Sequence, residues 1–175
     1  MNRQGDLLAD WRELKERLNK FFSDAERVAV VGVGSEFRGD DSVGVKVVRE
    51  LSRRLESERV LLIDGENVPE NQIDKIVDFR PTHVLVVDAG MVGLKPGQPT
   101  LVDAERLTAT PAPSTHALSL RVFCELVKEI VGAEVAVLVI QPKDANLRCD
   151  LTSELNEASK YAVEVLLEVL NQLRA

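Results

Sequence analysis

Apolar positions change their period several times along this chain. Between Asp6 and Phe22 they recur three and four apart, at Leu7, Trp11, Leu14, Leu18 and Phe21. That spacing makes one face of an amphipathic helix. It predicts a helix covering the domain rather than one held out for a partner. The pattern then becomes continuous in Val28-Ala29-Val30-Val31-Gly32-Val33-Gly34. An unbroken apolar run ending in glycine predicts a strand buried on both faces. Further short runs, Val60–Ile63, His83–Val87 and Val135–Ile140, predict strands of the same kind, and Thr100–Val102 a minor one.

Helical spacing fills the intervals. From Asp41 onward Val43, Val47, Val48, Leu51 and Leu55 share a face. Asn71–Phe79 holds a short helix that closes before Pro81, because a residue before proline is disfavoured in helical backbone. Leu118–Val131 predicts another helix, stopped by Gly132. The last begins at an N-cap near Thr152 or Ser153 and runs to about Leu173. Gly90–Pro99 and Thr108–Thr115 read as irregular. Buried strands alternating with helices predict an α/β fold, a three-layer α/β/α sandwich with a mostly parallel central sheet. The expected organisation is one domain over residues 1–175, with a helical extension at 1–26 and the α/β unit at 27–175.

The balance of 29 acidic against 22 basic residues gives a net charge of −7. Nucleic acid is therefore an unsuitable partner, since binding it requires a basic surface. The apolar runs are strand-sized and too short to span a bilayer, so no membrane association is expected. Cys124 and Cys149 are too few for a disulfide scaffold, and the N-terminus lacks an apolar signal core. A cytoplasmic setting, with a monomer as the default state, is the expectation.

Ligands in open α/β sheets bind beyond the carboxyl ends of the strands. Those ends deliver Ser35–Asp41, Asp64–Asn67 and Asp88–Gly90, and Ser114-Thr115-His116 precedes a helix. Asp41, Asp88 and His116 are the ionisable groups that one sheet edge can gather. Two carboxylates and an imidazole suit a borderline divalent metal such as nickel, zinc or iron. They also suit acid–base work without a metal, since neighbouring carboxylates push one pKa up. Each has a plainer role open to it: Asp41 as a helix cap, Asp88 as an acceptor of loop amides, His116 as a hydrogen-bonded residue at a helix start. His83, at the head of a strand, reads as structural, and Cys124 as core packing.

Other chemistries fit less well. Gly32-Val33-Gly34 lacks the third glycine of a dinucleotide fingerprint, since Phe37 occupies that position. Asp40-Asp41 at the following helix start favour the helix but repel a phosphate. Gly34-Ser35-Glu36 does not complete a serine-hydrolase elbow. Cys149 paired with His116 has no further support. A nucleotide- or cofactor-binding module remains an alternative to an enzyme.

The block Gly32-Val33-Gly34-Ser35-Glu36-Phe37-Arg38-Gly39-Asp40-Asp41-Ser42-Val43-Gly44 resembles the N-terminal signature of the hydrogenase maturation endopeptidases of the HycI/HybD type. Asp88-Ala89 resembles their second signature and Ser114-Thr115-His116 their third. Asp64-Gly65 and Pro69-Glu70-Asn71 fit the same group. Ser35 stands where the family often has Asn, and the N-terminal helix is not typical of its shorter members. The Gly-Ser-Glu-Phe form is closest to the HycI-like branch. The resemblance implies an α/β/α sandwich and an endopeptidase that removes the C-terminal extension of a nickel-loaded nickel–iron hydrogenase large-subunit precursor. It implies that Asp41, Asp88 and His116 are both the catalytic residues and the ligands of a nickel ion carried in by that precursor. No tightly bound metal of the enzyme's own is expected. A non-catalytic chaperone of the immature subunit would share the surface but not the turnover.

Overall fold

The computed structural model describes residues 3–108 and 117–173. Helix α1 spans Arg3–Phe21, β1 Val28–Gly32, α2 Val43–Arg54, β2 Val60–Asp64, α3 Ile73–Phe79 and β3 His83–Ala89. They are followed by β4 at Pro99–Asp103, α4 at Ala117–Val131, β5 at Glu134–Ile140 and α5 at Ser153–Leu170. Short 3-10 turns over Gly39–Ser42 and Pro69–Gln72 lead into α2 and α3, and a third follows β4 at Ala104–Thr108.

The five strands form one sheet in the order β2-β1-β3-β5-β4. Pairs β1–β2, β1–β3 and β3–β5 are parallel, and β4 runs antiparallel along β5. This is the α/β/α sandwich that the alternation of apolar runs predicts. Each central strand divides its side chains between two cores because strand side chains alternate. Val28, Val30, Leu85 and Val87 join the core beneath α1, α2 and α5, while Ala29, Val31, Val84 and Val86 join the core beneath α3 and α4. Every residue of β1 and β3 is buried, as continuous apolar runs require.

The N-terminal helix covers the domain. Trp11, Leu14 and Leu18 are buried against α5 and β4, with Leu7 and Phe21 partly buried beside them. Element ends differ from the periodic reading by one to three residues at several places. Strand β3 continues through Asp88 because the register Asp88↔Val139 keeps pairing with β5, so the carboxylate belongs to the strand rather than to the following loop. The segment before α2 tightens into a 3-10 turn, so Asp41 precedes the α-helix proper. Helix α5 ends at Leu170, three residues early, with the Asn171 N–H bonded to the Leu167 carbonyl. The stop at Gly132 is as expected: its φ of 73° is left-handed, and its N–H closes on the Lys128 carbonyl at 3.0 Å.

Candidate active site at the carboxyl edge of the sheet

Strand β1 connects to β2 on one side, and the chain then crosses to β3 on the other. The connections part between β1 and β3, which leaves a crevice beyond their carboxyl ends. Glycines let the backbone close around it. A methyl on Gly44 would sit 2.0 Å from the Val87 carbonyl oxygen and 2.6 Å from that of Val33, so only glycine lets α2 start this close to both strands. Gly34 has φ 148°, and a side chain there would meet the Asp41 carbonyl oxygen at 1.9 Å. The chain thus leaves β1, turns, and returns Asp41 to the mouth of the crevice.

The adjacent Asp40 and Asp41 part company. Asp40 is fully buried and faces the loop before α5. Its Oδ1 accepts the Thr152 N–H at 2.7 Å and its Oδ2 accepts the Lys143 N–H at 2.9 Å. The Thr152 hydroxyl lies 2.9 Å from both oxygens. Thr152 is in turn the N-cap of α5. Asp40 is therefore a structural carboxylate joining two loops of the carboxyl edge. Gly39 adds to that junction by donating its N–H to the Arg148 carbonyl at 2.7 Å. Asp41 turns the other way. Its Oδ2 accepts the Ser35 N–H at 2.9 Å, and its charge acts on Asp88.

Asp88 is 3% exposed, and its Oδ1 accepts the N–H of Ala89 at 2.8 Å. Burial pushes its pKa well above the usual carboxylate range, and the Asp41 charge pushes it the same way. By alternation with Val84 and Val86, Asp88 belongs to the sheet face covered by α3 and α4. Helix α4 opens at Ala117. His116 itself lies outside the described residues, as does most of the Thr108–Thr115 segment expected to be irregular. Of the three sequence-predicted site residues, the structure thus brings Asp41 and Asp88 into electrostatic contact.

Two further groups shape the edge. Gln141 is buried just after β5, where its Oε1 accepts the N–H groups of Val92 at 2.9 Å and Leu94 at 3.2 Å. It thereby holds the loop that follows Asp88. Arg49 pairs with Asp64 at 2.7 Å and with Glu36, tying the ends of β1 and β2 through α2. Sequence spacing did not single out Asp40, Gln141 or Arg49 for these roles. The only signal for Gln141 was a polar residue between a buried strand and Pro142. The cysteines are remote from this chemistry in character. Burial pushes the Cys124 thiol up to about 12, and Cys149 is free and exposed.

A buried carboxyl whose pKa is raised by burial and by a neighbouring carboxylate can serve in acid–base work, and the same oxygens suit a divalent cation. Comparisons with known proteins concern the chain as a whole. A family model described as hydrogenase maturation protease, HycI, matches residues 45–169. A putative hydrogenase maturation protease of Methanocaldococcus jannaschii is 27% identical over 168 residues, 92% of this chain and 98% of its own. The hydrogenase 3 maturation protease of Escherichia coli is 32% identical over 126 residues, 72% of this chain and 80% of its own. A crystal structure of the nickel–iron hydrogenase maturation protease HycI from Thermococcus kodakarensis is similar with a TM-score of 0.81 at 29% identity, covering 89% of this chain and 99% of that one.

Proposed function

We propose a specific cleavage for this chain, which belongs to the hydrogenase maturation protease family and is thereby an endopeptidase of hydrogenase maturation. The substrate is the large-subunit precursor of a nickel–iron hydrogenase, already carrying nickel, and the product is that subunit without its C-terminal extension. Asp41, Asp88 and His116 engage the precursor's nickel and carry the hydrolysis.

One observation carries this reading: Asp88 is buried at the end of β3, where burial and the charge of Asp41 both raise its pKa well above the usual carboxylate range. Without a cation, two bare carboxylates repel and burial penalises the charge on Asp88. A divalent ion arriving with its own ligands from the precursor relieves both penalties. Electrostatic repulsion in the free enzyme is thus converted into affinity for the metal-loaded client. The ion fixes the scissile bond relative to the carboxylates, a positioning effect worth up to roughly 7–11 kcal/mol in ideal cases.

The surroundings suit a polypeptide substrate. Phe37, Met91 and Leu147 are 70%, 51% and 79% exposed on the loops after β1, β3 and β5. Apolar side chains on loops around one crevice offer contacts to an extended chain.

The test is intact-mass measurement after incubating the purified chain with precursor in nickel-loaded and nickel-free forms. A shortened product from the loaded form alone is expected. Equal trimming of the nickel-free form would refute the nickel handle. Stable association with the loaded form without any shortening would instead make the chain a chaperone.

A further inference from the structure

The opposite edge of the sheet holds a second group of donors. His83 opens β3 and is 2% exposed. Its Nε2 is buried and has no hydrogen-bond partner among the described residues. It faces Asp24 Oδ1 at 3.4 Å, from the connection after α1, and Glu134 Oε2 at 3.6 Å, from the first residue of β5. One donor atom from each of the three residues falls within 4.8 Å of the others. His83 and Asp88 stand five residues apart on one strand, so this edge is roughly 16 Å from the candidate active site.

Neighbours on both sides hold the imidazole. The Thr82 hydroxyl oxygen lies 3.0 Å from His83 Nδ1 and 3.1 Å from the Arg27 carbonyl oxygen, and it accepts the Glu26 N–H at 3.0 Å. Nε2, on the other side of the ring, faces the two carboxylates. The rings of Phe21 and Phe22 stand edge-on to the imidazole, with centroids 5.1 Å and 6.1 Å away, and fix its plane. The Arg27 guanidinium lies over the Phe79 ring, 4.2 Å from its centroid, and is engaged there.

A buried ring nitrogen without a hydrogen-bond partner, facing two carboxylates, is a place for a positive centre. The distances from Nε2 to both carboxylates suit one. Two donors each about 2.1 Å from a tetrahedral ion lie about 3.4 Å apart. Two carboxylates balance a divalent charge, and the Thr82 hydroxyl at Nδ1 is a partner that can orient a metal-bound imidazole.

We propose that Asp24, His83 and Glu134 form a divalent-cation site of the zinc type at the amino edge of the sheet. The ion clips the connection after α1 to the starts of β3 and β5, and its fourth position is open to water. The site has no part in peptide hydrolysis.

Zinc chloride is the probe, with the full chain followed by calorimetry and by long-range proton–nitrogen correlation of its two histidines. Saturable binding of one zinc is expected, with the His83 Nε2 resonance moving while Nδ1 keeps its proton, and with a rise in Tm. Glu134→Gln and Asp24→Asn change exposed side chains, so both variants fold. Each is expected to weaken zinc binding at least tenfold while precursor trimming stays at the wild-type rate. A His83 imidazole doubly protonated and unmoved at millimolar zinc would show an ion pair only and overturn the proposal. So would zinc binding lost in Asp88→Asn but retained in Glu134→Gln, which places the ion at the other edge.

Discussion

Asp40→Ala separates the structural carboxylate from Asp41, the neighbour proposed to act in catalysis. The substitution removes the acceptor of the Lys143 and Thr152 backbone N–H groups and of the Thr152 hydroxyl. These are hydrogen bonds to a charged acceptor, each contributing roughly 1.5–3 kcal/mol. Lys143 is exposed, so water can replace part of its loss, whereas Thr152 is half-buried and also caps α5. The combined cost is about 3–5 kcal/mol. For a chain of this size each kcal/mol lowers Tm by roughly 2–4 °C, so a fall of about 6–20 °C is expected. Asp40→Asn should fare little better, because its amide nitrogen would turn a donor toward donors. Asp41→Asn keeps an oxygen for the Ser35 N–H and should move Tm by about 2 °C or less, about what a change near 0.5 kcal/mol gives. Calorimetric Tm values of the three variants provide the comparison. A fall under about 2 °C for Asp40→Ala, or equal falls for Asp40→Ala and Asp41→Asn, would refute the division of roles.

Asp88 and Gly44 give two further expectations. The raised pKa of Asp88 means the folded state holds a proton that the unfolded carboxyl releases near its ordinary value of about 3.9. Stability attributable to this group therefore falls as pH rises from that value toward the native one. Asp88→Asn removes the penalty, so denaturant unfolding should find it more stable than wild type at neutral pH, with the gain vanishing toward pH 4. A constant gain at every pH would contradict burial of an ionisable group as the cause. Gly44→Ala places a methyl 2.0 Å from the Val87 carbonyl oxygen and must push α2 off β3. A loss of about 1–3 kcal/mol is expected, with slower precursor trimming as Asp41 moves with the turn; unchanged stability would deny the close approach.

Much of this was legible in the amino-acid order, because the relevant signals are local. The runs at Val28, His83 and Val135 read as buried strands since both faces of a parallel sheet are covered. The spacing of Trp11, Leu14 and Leu18 likewise identified a covering helix. The carboxylates at Asp41 and Asp88 could be found because strand ends can be counted. The different fates of Asp40 and Asp41 could not. Neighbours at a helix start have the same local chemistry, and only the tertiary position of Thr152 and Lys143 assigns one of them to structure. Gln141 was hidden for the same reason: its partners, Val92 and Leu94, lie on a loop about fifty residues away in sequence. His83 read as structural because strand-head histidines are commonly packed, and nothing local reveals that Asp24 and Glu134 converge on its ring.

The most direct test of the central claim is the trimming rate of nickel-loaded precursor by Asp41→Ala, Asp88→Ala and His116→Ala, each checked for a cooperative thermal transition. Loss of trimming in all three, with the fold retained, is the expected result. Processing at the wild-type rate by any folded variant would contradict a shared role for these groups at the carboxyl edge.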